Sequence, residues 1–354
     1  MKKILFVILS ILIIGSAFIG MVTAQEQYVM KYSWADPADP LSQPTSAYAS
    51  TLKAEVERLS GGRLKVELYP AGQLGDQRSS VEQVRKGTIE GANLTTGVLA
   101  SPYSLKLAII EMPFTFSSME VARRLFDTNN PFTRKLVEEC LEKTGSIRIL
   151  SIMAWGGFKQ FTNNVRPIHS PDDMKGLKIR TTEAEQHMKY VEALGAIPTP
   201  IPFLELYTSL QTNVIDGEDN PFCNIISMKF YQVQKYCTLS AHVLGLSTTI
   251  INEKWFQSLP DDLKLALIEG ERVAQATCSG YAAVLDSVGL EKVKSLGMEV
   301  YTPTPEEKEM FKEKTVPYMK EWMAKDFGED FVNEFLSAVK AVEDEIKAEV
   351  ESLK

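Results

Sequence analysis

At 354 residues, with 44% hydrophobic and 24% charged side chains, the chain is too long for one small core and too ordinary in composition for a disordered protein. Its formal charge is −8, and Lys2 and Lys3 are the only charges among the first 24 residues, so the remainder carries −10. An acidic chain without a basic stripe argues against nucleic acid as a partner. Any anion it binds must be met by a local positive site inside a negative whole.

Lys2-Lys3, the apolar run Ile4–Met21 and the small-residue end Val22-Thr23-Ala24 read as a signal peptide over 1–24, which implies an extracytoplasmic protein. The apolar run is long, so a retained membrane anchor competes with cleavage. No cysteine follows it, which argues against a lipoprotein anchor. The four cysteines, Cys140, Cys223, Cys237 and Cys278, show no CxxC spacing and read as buried small hydrophobes, although Cys223 and Cys237 could meet.

Tyr28–Trp34, Leu64–Tyr69 and Ile89–Thr95 read as strands, with helices between them ended by Gly61-Gly62 and Gly87. This βαβαβ opening implies a parallel sheet with right-handed crossovers. Trp34, Asp36, Asp76, Thr95 and Thr96 fall at strand ends and are candidates for a cleft. Trp34 reads equally as a core aromatic, and Asp76 better as an N-cap. Helices follow over 119–128 and 133–143. Ile147–Phe161 then reads as a long strand crossing between two lobes, with a hinge at Gly156-Gly157 and Lys159 facing the cleft. Leu177–Arg180 is a short strand whose end carries Arg180, in the place where α/β folds meet their ligands. Glu183–Leu194 is helical, 195–202 is a proline-rich connection, and 203–211 is helical. Pro221 holds Asn220 extended at a strand-to-helix junction. His242–Asn252 is a second crossing. A long helical region over 261–296, with bends expected at Gly270, Gly280 and Gly289, precedes a capping box at Thr304-Pro305-Glu306-Glu307. The stripe Phe335, Val339, Val342, Ile346 and Val350 on the last helix is expected to face the core.

No GxSxG, Walker, GxGxxG or HExxH pattern is present. Glu183 and His187 have a metal-compatible spacing but read as a surface contact. Glu218 and Asp219 are sequence neighbours and point apart. No catalytic set, metal site or cofactor is expected, and the chemistry that remains is binding. A guanidinium at 180 can hold a carboxylate by two parallel charge-assisted hydrogen bonds.

Several segments carry a resemblance: Leu68-Tyr-Pro-Ala-Gly-Gln-Leu-Gly-Asp76, Glu111-Met-Pro-Phe114, Asp173-Met-Lys-Gly-Leu-Lys-Ile-Arg180, Gly195-Ala-Ile-Pro-Thr-Pro200, Gln211–Pro221 and Lys229–Lys235. Together the set resembles the solute-binding proteins of tripartite ATP-independent periplasmic (TRAP) transporters, of the dicarboxylate-binding DctP type. The resemblance implies Arg180 as a bidentate clamp on the ligand carboxylate, Asn220 beside it and Phe203 over the ligand's apolar side. It places Lys159 where sialic-acid-binding members have a second arginine, which weakens sialic acid as the ligand. Glu183 and Asp219, if unpaired near the clamp, would repel a dianion and favour a hydroxylated monocarboxylate over a C4-dicarboxylate.

The expectation is a two-lobed α/β solute-binding protein, type II-like, with hinge strands between the lobes and long C-terminal helices. Residues 25–155 with 246–285 would form the first lobe, and 156–245 with 286–354 the second. The expected ligand-binding residues are Arg180, Asn220, Lys159, Phe203, Glu183, Asp219, Trp34, Asp76 and Thr95. A monomer would capture a small organic acid and pass it to the membrane permease subunits of a TRAP transporter. A ligand-presenting accessory of a membrane sensor, or an enzyme acting on an organic acid, are the alternatives.

Overall fold

The structure, a computed structural model, describes residues 26–354. The leader expected over 1–24 lies outside them. Among the described residues no helix is long and apolar enough to cross a membrane.

The first lobe opens with β1 (Tyr28–Ser33), α1 (Pro44–Leu59), β2 (Leu64–Tyr69), α2 (Gln77–Lys86) and β3 (Gly91–Thr95). β1 pairs in parallel with β2, Tyr28 opposite Leu64, and with β3, as the βαβαβ reading requires. Every residue of β1's inner face is apolar or aromatic, with Met30 and Tyr32 fully buried against Tyr48, Leu52 and Val56 of α1. The short α3 (Thr96–Ala100) follows β3 directly, then α4 (Met119–Leu125) and α5 (Pro131–Thr144). Two antiparallel strands complete the sheet: β4 (Ile147–Phe158) and β10 (Leu244–Asn252), giving the order β2-β1-β3-β10-β4.

β4 and β10 are also the crossings. Beyond Phe158 the chain passes through Lys159 into β5 (Gln160–Asn163) of a second sheet, so the long strand read over 147–161 is two strands. Gly157 sits at φ +83°, a backbone that side chains rarely adopt, at the end of β4 where the direction changes. The second sheet runs β11-β9-β5-β8-β6-β7 and is built from β6 (Lys178–Thr181), β7 (Ile197–Pro200), β8 (Gly217–Asn220), β9 (Tyr236–Thr238) and β11 (Glu299–Tyr301). The stretch read as a proline-rich connection is thus an edge strand. Its prolines 198 and 200 are tolerated because one side of β7 has no strand to bond.

Helices α6 (Pro171–Met174), α7 (Glu185–Ala193), α8 (Leu206–Gln211) and α9 (Phe222–Ser227) belong to this lobe. After α10 (Glu253–Ser258), helix α11 runs unbroken from Asp261 to Ser295 and packs on α1, β4 and α9, so it spans both lobes. Gly270 and Gly289 are contact points rather than bends. A Cβ at 270 would lie 2.7 Å from Val56, and one at 289 would lie 2.4 Å from Phe222.

α12 (Pro305–Phe327) begins with the expected capping box on Thr304 and packs on α7. α13 (Glu329–Ser352) was expected with the second lobe, but it packs on α4 of the first, with Phe335 against Phe116 and Phe132. The stripe from Phe335 to Val342 is buried as expected, whereas Val350 is exposed. All four cysteines are buried and free, so Cys223 and Cys237 do not pair.

Candidate functional site

Between the lobes lies a narrow cleft whose unfilled space, its open mouth included, is about 510 Å³. The first lobe supplies Asp36, Thr45, Gln77, Asn93, Thr95 and Ser247. The crossing strand supplies Trp155 and Lys159, and the second lobe Arg180, Thr182, Phe203, Asn220 and Asn224.

Arg180 is the largest of the fully buried side chains and is 2% exposed. β6 pairs with β7 (Arg180 opposite Thr199) and with β8, which fixes its backbone inside the sheet. Its Nε donates to the Ile201 carbonyl at 2.9 Å, and its guanidinium carbon lies 5.8 Å from the Phe203 ring centroid. Among the described residues its two terminal nitrogens donate to no protein acceptor. Burial pulls its pKa down, offset by the nearby Asp219 and Glu218. A buried guanidinium that lines a cleft with its terminal N–H groups free is suited to take a carboxylate.

Behind the clamp lies a buried ionic network. Asp219 Oδ2 accepts from Lys159 Nζ at 3.3 Å, from His242 Nε2 at 3.2 Å and from the Tyr190 hydroxyl. Burial alone would raise the Asp219 carboxyl, but Lys159, His242 and His187 outweigh it and hold it well below the usual range. His242 stacks on Phe161 with centroids 4.0 Å apart, and burial lowers its pKa. Lys159 therefore reaches the cleft as a cation already paired.

Arg180, Asn220, Lys159, Phe203 and Thr95 line the main cleft. Asp76 and Glu183 line an adjoining recess that shares Arg180 and Phe203. Asp76 is an N-cap, accepting from the Ser79 amide at 2.7 Å. Trp34 lines neither space: its indole N–H donates to Ser46 and its ring packs near Tyr32. The premise of unpaired carboxylates beside the clamp also fails. Asp219 has its charge compensated by Lys159, with three partners on Oδ2 although its buried Oδ1 has none among the described residues, and Glu183 faces Arg78 at 3.7 Å. His187 turns away from Glu183 towards Thr182 and Glu111, and among the described residues no group of three metal-ligating side chains converges.

Sequence reading missed Trp155, Asn93, Ser247 and Asn224, and also Thr45, Gln77 and Thr182. Asn93 and Ser247 carried a signal, because a polar residue inside an otherwise apolar, buried strand needs a partner or a purpose.

Glu218 supplies a pH test. Burial pushes its carboxyl up to about 7, against hydrogen bonds from Thr162 and Asn220. Its folded pKa thus exceeds its unfolded value of about 4.3. Between those values the folded state keeps a proton that the unfolded chain releases, so this contribution is present at low pH and fades as pH rises to 7. Glu218→Gln should therefore gain on the wild type between pH 5 and 8, by about 1–3 kcal/mol. Melting curves of both proteins at the two pH values check this, and a difference that stays flat would contradict it.

Two lobes joined by crossing strands around a cleft with a buried arginine are the architecture of a solute-binding protein. The chain belongs to the DctP family, whose model, bacterial extracellular solute-binding protein family 7, matches residues 38–326; these are the non-catalytic binding proteins of TRAP transporters. It is 30% identical to the sialic acid-binding periplasmic protein SiaP of Vibrio cholerae, over 77% of this chain and 83% of that one. It is 28% identical to the C4-dicarboxylate-binding periplasmic protein DctP of Rhodobacter capsulatus, over 89% and 91%. The sugar acid binding protein DctPAm of Advenella mimigardefordensis, solved in complex with galactonate, superposes with a TM-score of 0.82 at 28% identity, covering 90% of this chain and 99% of that one.

Proposed function

We propose that the protein captures a small organic acid in the interlobe cleft, holding its carboxylate on Arg180, and delivers it to the membrane permease of a TRAP transporter on the extracytoplasmic side. The observation that carries this reading is the Arg180 guanidinium, buried, tied down through Nε and otherwise unpaired towards the cleft. A buried charge without a partner is costly, and a ligand carboxylate removes that cost. The relatives bind sialic acid, C4-dicarboxylates and galactonate, acids whose shared group is the carboxylate. A sugar acid or a C4-dicarboxylate is therefore the ligand class. The ligand favours the closed form because it bridges both lobes.

Gly97 tests the closure part. It is the second residue of α3 in the first lobe, where a Cβ would lie 2.3 Å from Gln186 Nε2 and 2.6 Å from the Ala184 Cβ of the second lobe, and 2.5 Å from Glu111 Oε2. Gly97→Ala places a wedge between the lobes without touching the cleft. Overpacking of this kind costs about 1–3 kcal/mol, so ligand affinity should fall about 5- to 150-fold. Small-angle scattering with saturating acid should show the wild type contracting on binding and the variant contracting less. A wild type that binds acid without contracting would overturn the closure reading.

A further inference from the structure

The cleft's two walls differ in hydrogen-bonding character. The second lobe offers donors, Arg180 above all. On the first lobe, Asp36 Oδ2 accepts from Thr45 Oγ1 at 2.7 Å, and among the described residues Oδ1 has no protein partner. Asn93 directs its Nδ2 to Ser247 Oγ and Thr249 Oγ1, both at 3.2 Å, which leaves its Oδ1 without a donor among the described residues. Gln77 spends its Oε1 on the Thr95 amide. We propose that Asp36, supported by Asn93, is the specificity-determining residue of this site: a subsite on the first lobe that accepts hydrogen bonds from ligand hydroxyls and excludes a second carboxylate.

The proposal rests on the anchoring of an acid at Arg180 and adds what the far end of that acid must be. A carboxylate offers only acceptors, so a dicarboxylate's second group would face an anion at Asp36 with nothing to donate. The remaining cation, Lys159, is already paired with Asp219 and does not compensate. A hydroxyl, by contrast, can donate to Asp36. Burial pushes the Asp36 carboxyl up to about 6, which marks an anion short of donors that a polyhydroxylated chain would supply. The ligand class this selects is the hydroxylated monocarboxylate, aldonate-like.

Calorimetric titration of the wild type and of Asp36→Asn with gluconate, galactonate, erythronate, succinate and malate tests it. The wild type should bind at least one aldonate more tightly than either dicarboxylate. Asp36→Asn, nearly isosteric, should reduce the ratio of aldonate to dicarboxylate affinity by about 10- to 100-fold, the effect of one hydrogen bond to a charged group. A ratio unchanged in the variant, or a wild type that prefers succinate, overturns the subsite while leaving the anchor standing. Acid affinity left undiminished by Arg180→Met, or a wild type that binds no acid of the five, overturns the anchor and the subsite with it. The wild-type preference is read without any variant, so a poorly folding Asp36→Asn does not shield the proposal.

Discussion

Arg180→Met is expected to weaken acid binding by about 30-fold or more and to leave the ligand-free protein at least as stable as the wild type. The two halves of this result have one cause. Arg180 is buried in a low-dielectric site with only its Nε bonded, and burial pulls its pKa down, so the free protein carries a desolvation cost. Methionine fills a similar volume and removes that cost. In the complex the same change leaves the ligand carboxylate buried and unpaired, which costs about 2–5 kcal/mol, or roughly 30- to several thousand-fold in affinity. Arg180→Lys should fall in between, since it keeps the charge but loses the fork and the bond to Ile201. Titration calorimetry and thermal melts, run on the same preparations, separate the two effects. A variant that melts much lower than the wild type would mean that Arg180 holds the lobe together rather than the ligand.

The second large effect is structural. Asp219→Ala would leave Lys159 without its anion, and the Tyr190 hydroxyl and His242 Nε2 without their acceptor, all inside the protein. Breaking a buried ion pair by removing one member costs about 3–5 kcal/mol. Adding Lys159→Met to Asp219→Ala should recover a large part of that loss, because the stranded charge goes too. Denaturant unfolding of the two single variants and the double variant measures this, and strict additivity would contradict the pairing. The pH dependence runs opposite to that of Glu218. Asp219 is held below its unfolded pKa, so its contribution is present above about pH 4 and is lost as pH falls further.

Much of the architecture was legible because the signals were local. The capping box at Thr304, the N-cap at Asp76 and the glycine stops after the early helices each fix a boundary through one side chain or one backbone conformation. The crossing at Gly156-Gly157 was legible for the same reason. What escaped was set by distant partners. β7 looked like a loop because of its prolines, and only its edge position next to β6 makes it a strand. Gly270 and Gly289 looked like bends, and only Val56 and Phe222 across the interface show that they permit close approach. The packing partner of α13 was not legible, because its apolar stripe declares that it packs, but not on what.

The site divides in the same way. Arg180, Asn220, Lys159 and Phe203 stand in motifs that could be read, and all four meet at the cleft. The pairing state of Asp219 could not be read, since Lys159 lies 60 residues away along the chain and His242 lies on the second crossing. An inference about ligand charge drawn from an unpaired Asp219 therefore loses its premise. The one that replaces it comes from Asp36, whose free oxygen becomes visible only once Thr45 is placed beside it.

The most direct test of the carboxylate anchor compares acids with their own amides. Thermal shifts of residues 25–354 would be recorded with gluconate and gluconamide, galactonate and galactonamide, and succinate and succinamide, for the wild type and for Arg180→Met. An acid at about 100 times its Kd should add about 2.7 kcal/mol of stability. The account predicts a shift with at least one acid, none with its amide, and a smaller one with that acid in Arg180→Met. An amide that stabilises as well as its acid, or a shift undiminished in Arg180→Met, would contradict it.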